Sequence, residues 1–231
     1  EKWWPANVHV IGKDINRFHT IYWPAMLLSA GLEIPSTVLV HGFVQSGGQK
    51  MSKSLGNVVD PFEISEKYGL EAFRYYMLSQ IPTTDDGDFT LKRFKEVYNA
   101  DLANGLGNLV ARVAKLCEGK NLKFLKSDRE NGLWNDIEPL IKQYRFNEAL
   151  TLIWGAISGL DKYIERERPW QKDLSEVNQT LSNIVIGSEG LTSLLEIADC
   201  LEIFIPQTAK SINKIFVNET VKSIPPLFPR I

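Results

Sequence analysis

The sequence has little of the chemistry that metal sites and disulfide frameworks need. Its 231 residues include only two cysteines, Cys117 and Cys200, and three histidines, at positions 9, 19 and 41. Without a Cys-x-x-Cys pair no structural zinc site can be written, so we expect no metal ligands in this chain. Two isolated cysteines suit a reducing compartment, and we expect a cytoplasmic location.

Long apolar runs and a large excess of one charge are also missing. No apolar run approaches the roughly 20 residues of a membrane span, and no signal peptide is visible, so we expect no membrane partner. The formal net charge of −2 argues against a protein that coats nucleic acid by bulk charge, although it leaves room for a local basic patch. Apolar residues make up 44% of the chain, enough for one large or two modest cores.

The first part of the chain alternates strand and helix signals. Residues 7–11 form a short β-branched run that ends at Gly12, and residues 37–44 form a second. Between the two runs, apolar residues recur at helical spacing, with Asp14 as a candidate cap. Short connections predict a βαβ unit whose two strands are parallel neighbours.

A short basic segment follows the second run and a glycine turn. We call residues 50–54, Lys-Met-Ser-Lys-Ser, the lysine loop. Each lysine supplies a positive charge with three donors, and the serines add short donors. Gly47 and Gly48 allow the loop to move and its backbone to approach a ligand. The composition suits a polyphosphate near the carboxyl ends of the strands, where such sheets bind ligands. From the residues alone, a solvated surface loop is the alternative.

The remainder of the chain is helical in pattern. Asp60 and Pro61 mark a capped helix start, a second helix is predicted over residues 71–80, and residues 82–88 are rich in turn formers. From Leu91 onward an apolar stripe runs to about residue 116, with Gly105 and Gly107 inside it as signs of close packing. Further helices are predicted over residues 131–144, 146–167, 174–188 and 191–216. The sequence therefore predicts an α/β part followed by a helix bundle.

Two places in the predicted bundle carry residues suited to RNA. Asn108 and Arg112 are four apart and share a helix face. Pro169 and Trp170 follow a charged run at a helix end. Amide and guanidinium groups read base edges, and an indole stacks on an unstacked base. The alternative is that Trp170 plugs the end of the bundle and Arg112 pairs with a surface acid.

Several segments together resemble one family. They are Gly12-Lys13-Asp14-Ile15, Phe18-His19, Trp23-Pro24-Ala25-Met26, His41-Gly42 and the lysine loop. This set is similar to the methionyl-tRNA synthetases, which are class I aminoacyl-tRNA synthetases, and the similarity reaches residues 225–231. A synthetase for cysteine, leucine, isoleucine or valine is a weaker match. The resemblance implies activation of methionine by ATP and its ligation to a tRNA with a CAU anticodon.

The resemblance also implies an architecture and roles for residues. It implies the C-terminal part of a Rossmann-like parallel sheet, followed by an antiparallel anticodon-binding helix bundle. Residues 1–60 would be a partial nucleotide-binding, catalytic domain, residues 61–90 a connector that contacts the tRNA stem, and residues 91–231 the anticodon-binding bundle. Catalysis would fall to Lys53, assisted by Lys50. ATP would be bound by Lys53, Lys50, Ser52, Gly12, Asp14 at the ribose, and Val44 through its backbone at the adenine. Mg²⁺ is expected with ATP.

For the amino acid, the family match implies a methionine pocket lined by Ile15, His19 and Trp23. Their spacing of four places them on one helix face, although such a stripe alone is more typical of plain core than of a pocket. The residues that match the anticodon readers of the family are Asn108, Arg112, Pro169 and Trp170.

The sequence departs from the family at one signature. No two histidines are three apart, so the class I motif His-x-Gly-His is absent. We therefore expect the missing N-terminal half of the synthetase to be a partner, and we expect the chain alone not to activate methionine at a useful rate. The first residue, Glu1, favours a truncated piece, and a naturally split subunit is the alternative. A non-catalytic RNA-binding module derived from a synthetase is the second functional hypothesis; the intact lysine loop favours the first.

Overall fold

Packing divides the chain into two units. The structure is a computed structural model that describes residues 3–120, 122–124, 131–217 and 220–231, without the side chain of Lys53. The α/β unit comprises Glu1–Val59 and Ile81–Thr90, and the helical unit comprises Asp60–Gln80 and Leu91–Ile231. The predicted connector, residues 61–90, is thus divided between the two units.

The two strands predicted at the start of the chain lie side by side. β1 (Val8–Gly12) pairs in parallel with β2 (Thr37–His41), and Gly12 lies opposite His41. This confirms the predicted parallel pair. The second strand was predicted to run to residue 44, but β2 ends at His41. The next residue, Gly42, donates its amide hydrogen bond to the carbonyl oxygen of Thr83 at 3.1 Å instead of extending β2.

A second small sheet carries the start of the lysine loop. β3 (Val44–Ser46) pairs antiparallel with β4 (Gln49–Lys50) and parallel with β5 (Gly87–Asp88). Gly47 and Gly48 join β3 to β4 with φ values of 64° and 73°. Two consecutive residues with positive φ make the two-residue hairpin turn that matches the twist of the flanking strands. The glycines therefore form a defined turn, whereas the sequence suggested a mobile one.

The helical segment between β1 and β2 is irregular. A 3₁₀ turn (Lys13–Ile15) and a π-helical turn (Phe18–Tyr22) precede α1 (Trp23–Ser29). The prediction that Asp14 caps this segment is wrong: Asp14 lies inside the 3₁₀ turn, whose N-cap is Gly12 without a side-chain hydrogen bond. The Asp14 carboxylate is exposed beyond the end of β1.

The helical unit contains helices close to those predicted. They are α2 (Pro61–Tyr68), α3 (Leu70–Gln80), α4 (Leu91–Val97), α5 (Asn108–Cys117), α6 (Gly132–Lys142), α7 (Phe146–Glu167), α8 (Leu174–Ile186), α9 (Leu194–Leu201) and α10 (Pro206–Phe216). The helix predicted over residues 191–216 is two helices, because Pro206 has no amide hydrogen to continue α9 and instead begins α10.

A π-helical stretch (Tyr98–Gly107) links α4 to α5 and brings two glycines against neighbours. A Cβ on Gly107 would lie 3.8 Å from the Cβ of Phe228, and a Cβ on Gly105 would lie 3.7 Å from Nε1 of Trp154. This confirms the close packing that the two glycines predict.

Two charged residues of α3 fix it within the helical unit. The Glu71 carboxylate accepts hydrogen bonds from the backbone amides of Gln207 and Thr208 in the first turn of α10. Arg74 Nε donates to the carbonyl oxygen of Phe204 at 2.6 Å. A carboxylate at a helix start complements the helix dipole, and the guanidinium satisfies a backbone carbonyl in the turn between α9 and α10. These contacts explain why Asp60–Gln80 belongs to the helical unit.

Glu118 connects the end of α5 to the C-terminal segment and gives a pH-dependent prediction. Its carboxylate accepts from Lys115 Nζ and from the hydroxyl and amide of Ser223, and these donors lower its pKa to about 2. Because the pKa falls on folding, the carboxylate stabilises the fold above about pH 4.5, and that contribution is lost as the pH drops towards 2. As the pH falls through this window, the melting temperature of Glu118→Gln, measured by calorimetry, should therefore decrease less than that of the parent. Glu138→Gln, which changes a carboxylate that is 41% exposed and pairs with Lys142 in its own helix, is the control. Identical pH profiles for the parent and Glu118→Gln would contradict the prediction.

Both cysteines are free and buried, which predicts low reactivity. Burial raises the pKa of the Cys117 and Cys200 thiols to about 12. Because the thiolate is the reactive species, we expect neither thiol of the folded chain to react with a disulfide reagent at neutral pH, and both to react after unfolding. Spectrophotometric thiol counting before and after denaturation checks this, and rapid labelling of the folded chain would contradict it.

Candidate functional site

The carboxyl ends of β1 and β2 bring Gly12 and Asp14 to the edge of the α/β unit. A Cβ on Gly12 would lie 3.0 Å from Oδ1 of Asp14 and 3.8 Å from the ring of His41. Glycine at this position therefore leaves space beside the exposed carboxylate. In open α/β sheets ligands bind at this edge, where the strands end.

Val44 lies in β3 with its backbone directed away from β5. The amides of Gly87 and Phe89 donate to the carbonyl oxygens of Phe43 and Gln45, the residues on either side of Val44. In a parallel pair alternate residues face the partner strand, so the Val44 backbone groups point to the opposite side.

The lysine loop is held by a residue that the sequence analysis missed. Oδ1 of Asn57 accepts from the backbone amide of Ser52 at 2.8 Å, and Nδ2 of Asn57 donates to the carbonyl oxygen of Lys50 at 3.3 Å. The hydroxyl groups of Ser52 and Ser54 are 2.7 Å apart. The side chain of Lys53, the predicted catalytic residue, lies outside the described part of the chain. The backbone of the loop is thus fixed by Asn57 on both sides of Met51.

Lys50 shares an aromatic ring with a second lysine. The Nζ atoms of Lys13 and Lys50 each lie 4.6 Å from the ring centroid of Phe43. The carboxylate of Asp86 pairs with Lys13 and accepts the backbone amide of Phe43 at 2.8 Å. The Lys13 ammonium, followed by the Phe43 amide, holds the pKa of Asp86 below its usual range. We call Lys13, Phe43, Lys50 and Asp86 the Phe43 cluster; three of its members were not predicted as site residues.

A cavity of about 700 Å³ in the α/β unit contains two of the three predicted methionine-pocket residues. His19 and Trp23 line it, together with Trp4, His9, Phe18, Tyr22 and Met26 among others. Ile15 is not part of the lining, but its carbonyl oxygen is 3.1 Å from Nδ1 of His19. Ile15 and Trp23 are 40% and 37% exposed, so the stripe is not interior core of this chain.

Several aromatic contacts shape this cavity. Trp4 lies edge-on to Trp23, with ring centroids 6.3 Å apart, and His9 lies edge-on to His19 at 6.4 Å. Nδ1 of His9 is buried and makes no hydrogen bond within the described structure. Trp4 and His9 carry no sequence signal that assigns them to this cavity. Phe18 and Tyr22 could have been identified, because they are four apart like His19 and Trp23.

The predicted RNA-reading residues come together in the helical unit. The guanidinium carbon of Arg112 lies 5.3 Å from the ring centroid of Trp170. Asn108 is exposed one turn before Arg112, and Pro169 is buried at the start of the 3₁₀ turn Pro169–Gln171. Trp170 is 50% exposed, so it does not plug the end of the helices.

Arg112 also pairs with acids, as the alternative interpretation predicted. Its guanidinium lies 2.7 Å from the carboxylate of Glu165 and 3.8 Å from that of Asp161. Burial raises the pKa of Asp161, while Arg112 acts against that rise. The two acids thus hold the guanidinium against the indole and keep it oriented.

Across the described residues, no group of three or more His, Cys, Asp and Glu side chains is placed to hold a metal ion. In the same residues no helix is both long and apolar enough to cross a bilayer.

Comparison with known proteins gives the class of this chain. Residues 1–114 match the family model described as "tRNA synthetases class I (M)". The matched region includes the parallel strands that end at Gly12 and His41 and the lysine loop, so the chain belongs to the class I aminoacyl-tRNA synthetases.

Individual relatives narrow the class to one family. The chain is 43% identical over 201 residues to the methionine–tRNA ligase of Synechocystis sp., covering 80% of this chain and 38% of that protein. It is 45% identical over 197 residues to that of Nostoc sp., covering 80% and 37%. A solved Mycobacterium tuberculosis methionyl-tRNA synthetase in complex with methionyl-adenylate matches with a TM-score of 0.86 and 28% identity, covering 99% of this chain and 51% of that chain. The chain belongs to the methionyl-tRNA synthetase family, and it spans about two fifths of the length of these curated relatives.

Proposed function

We propose that the protein containing this chain joins methionine to its tRNA using ATP. The observation that carries the proposal is the position of the lysine loop, which leaves the small sheet beside the carboxyl ends of β1 and β2. A phosphate-binding loop and an adenosine-binding edge are then adjacent within one unit. We propose accordingly that β1 and β2 belong to a Rossmann-like sheet, completed by sequence that the relatives have beyond the matched region.

The reaction needs positioning and neutralisation of charge more than acid–base chemistry. The methionine carboxylate attacks the α-phosphate of ATP, a phosphorus–oxygen bond forms, and pyrophosphate leaves. Lys53 and Lys50 would stabilise the negative charge on the phosphates, with Ser52 as a further donor. Mg²⁺ would accompany the triphosphate, whose oxygen atoms supply ligands that this ion prefers.

The nucleoside and the amino acid would lie on either side of the reacting phosphate. Asp14 would accept hydrogen bonds from the ribose in the space left by Gly12, and the Val44 backbone would face the adenine. His19 and Trp23 would contact the methionine side chain, with Ile15 positioning His19 through its carbonyl oxygen. An aromatic cavity suits a thioether because sulfur makes favourable contacts with ring edges.

The helical unit would read the tRNA as an antiparallel anticodon-binding bundle. An anticodon base would stack on the exposed face of Trp170, and Asn108 and Arg112 would reach base edges. Pro169, buried at the start of its turn, would fix the direction of the indole. The CAU anticodon is the partner that the family membership favours. A reducing compartment such as the cytoplasm is our prediction for the location.

Binding of RNA by the chain itself tests this proposal. Anisotropy titrations at fixed salt would compare a CAU anticodon stem-loop with a loop changed at its first base, and calorimetry would measure ATP binding. We expect at least roughly tenfold preference for CAU, the scale of one lost base contact. Preference for CAU without ATP binding would instead favour the non-catalytic RNA-binding module. Equal affinity for both loops would contradict the assignment of the anticodon site.

A further inference from the structure

Lys13 is a charged residue at the nucleotide edge that the reaction proposed above leaves without a role. It follows Gly12 directly at the end of β1, while Lys50 is the last residue of β4. Both ammonium groups lie at the same distance from the Phe43 ring, 4.6 Å from its centroid, so they are within twice that distance of each other. An aromatic ring attracts cations through its quadrupole and here holds two of them beside one edge of the unit.

Asp86 is the counter-ion of Lys13, and its position is fixed by a backbone contact. The carboxylate accepts the amide of Phe43 at 2.8 Å and pairs with Lys13. The residue after it begins β5, and the same stretch of chain holds Gly42 through the carbonyl oxygen of Thr83. Asp86 is therefore held at one point beside Lys13, although its side chain is 34% exposed.

Because the ion pair between Lys13 and Asp86 is exposed to solvent, another anion can replace the carboxylate. The side chains of Lys13 and Asp86 are 42% and 34% exposed, and ion pairs in contact with water contribute little to stability. A triphosphate carries several negative charges and many acceptor oxygens, so it competes well with one carboxylate for an ammonium group. Within the Phe43 cluster, the Asp86 carboxylate thus occupies the position beside Lys13 that a bound polyphosphate would take.

We propose that Lys13 is a further phosphate-binding residue, and that Asp86 holds it in the ligand-free state as an internal counter-ion which the phosphates of ATP displace. This inference rests on the proposed function, because it places the triphosphate beside the lysine loop. Phe43 keeps the ammonium groups of Lys13 and Lys50 each 4.6 Å from one ring centroid, so one triphosphate is long enough to reach both. Asp86 is a positioning residue that acts through Lys13.

Calorimetric titration of the intact chain with tripolyphosphate and with Mg·ATP, at constant ionic strength, tests the inference. Lys13→Gln should weaken tripolyphosphate binding about tenfold, the scale of one charge-assisted hydrogen bond. Asp86→Asn should strengthen binding several-fold, because asparagine still accepts the Phe43 amide but no longer neutralises Lys13. Lys67→Gln and Asp85→Asn, which change one charge each on exposed positions outside the cluster, should leave the affinity near that of the parent.

The double variant Lys13→Gln/Asp86→Asn shows whether Asp86 acts on the ligand through Lys13 or through its charge alone. If Asp86 acts through Lys13, removing its charge should give no gain in affinity once Lys13 is absent. An equal gain in Asp85→Asn and Asp86→Asn would show a general field effect and overturn the role of Asp86. The melting temperature of each variant is measured as well, and all titrations are made well below it. A variant that melts earlier but binds tripolyphosphate like the parent would show that the Lys13–Asp86 pair is structural only.

Failure of this inference is distinguishable from failure of the proposed function. If Lys50→Gln weakens binding while Lys13→Gln binds like the parent, the inference is overturned and the lysine loop keeps its proposed role. If the parent binds no tripolyphosphate at millimolar concentration, the inference is overturned whatever the RNA titrations show. Loss of CAU preference with intact tripolyphosphate binding would overturn the proposed function alone.

Discussion

Replacing Trp170 with alanine is expected to remove most of the preference of the chain for a CAU stem-loop. The indole is 50% exposed, and the guanidinium of Arg112 lies 5.3 Å from its ring centroid. Stacking of a base on an aromatic side chain is worth about 1–3 kcal/mol, which corresponds to roughly 5- to 150-fold in affinity. Anisotropy titration of the parent and the variant with both stem-loops measures this loss.

Two matched variants make the result specific. Trp170→Phe keeps a ring on which a base can stack and should retain most of the preference. Phe62→Ala removes an aromatic side chain that is 81% exposed in α2 of the same unit, and it should bind like the parent. If Trp170→Ala discriminates between the loops as the parent does, Trp170 is a packing residue and the RNA-reading proposal for the Arg112 face is wrong.

Gly42→Ala should be the most damaging single-methyl change in the α/β unit. A Cβ at this position would lie 1.9 Å from the carbonyl oxygen of Asp85 and 2.2 Å from its carbon. Both are backbone atoms, so no side-chain rotation relieves the overlap, and the 83–86 segment must move away from β3. We expect a loss of at least about 3 kcal/mol in the free energy of unfolding of this unit.

Hydrogen exchange read by mass spectrometry would locate that damage. Protection should fall in peptides covering residues 37–50 and 81–90, while peptides from α7 keep theirs. Gly155→Ala in α7 is the matched control, since a Cβ there meets no atom within 4 Å, and it should be neutral or stabilising by up to about 1 kcal/mol. Unchanged protection in both β3 and the 81–90 segment of Gly42→Ala would refute the close approach.

Local signals predicted much of the fold. The β-branched run at residues 7–11 predicted β1, and α7 has the bounds that its apolar spacing indicates, Phe146–Glu167. The break before α10 was also present in the sequence as Pro206, which the helix predicted over residues 191–216 did not take into account. The two π-helical segments, Phe18–Tyr22 and Tyr98–Gly107, were not predicted, because a reading of the apolar stripe at 3.6 residues per turn describes only α-helices.

The candidate site was predictable mainly through the family resemblance. Arg112 and Trp170 are distant in sequence and were identified by that resemblance, since their side-chain types alone favoured a packing residue and a surface ion pair; the structure brings the two together. His19 and Trp23 were likewise assigned to a pocket by the resemblance, because their spacing of four alone favoured core. Asp86 could not be found this way, because its contact with Lys13 spans 73 residues and no local pattern connects an aspartate in a turn to the end of a strand.

The path of the chain between the two units decides how they could be studied separately. The chain leaves the helical unit after Gln80, adds Ile81–Thr90 to the α/β unit, and returns at Leu91. A fragment that starts at Leu91 would therefore lack α3 and leave the amides of Gln207 and Thr208 without the Glu71 carboxylate. A usable helical fragment must begin at Asp60 and replace Ile81–Thr90 with a short flexible linker. By the same logic, one protease cut near residue 90 would nick the protein without releasing either unit.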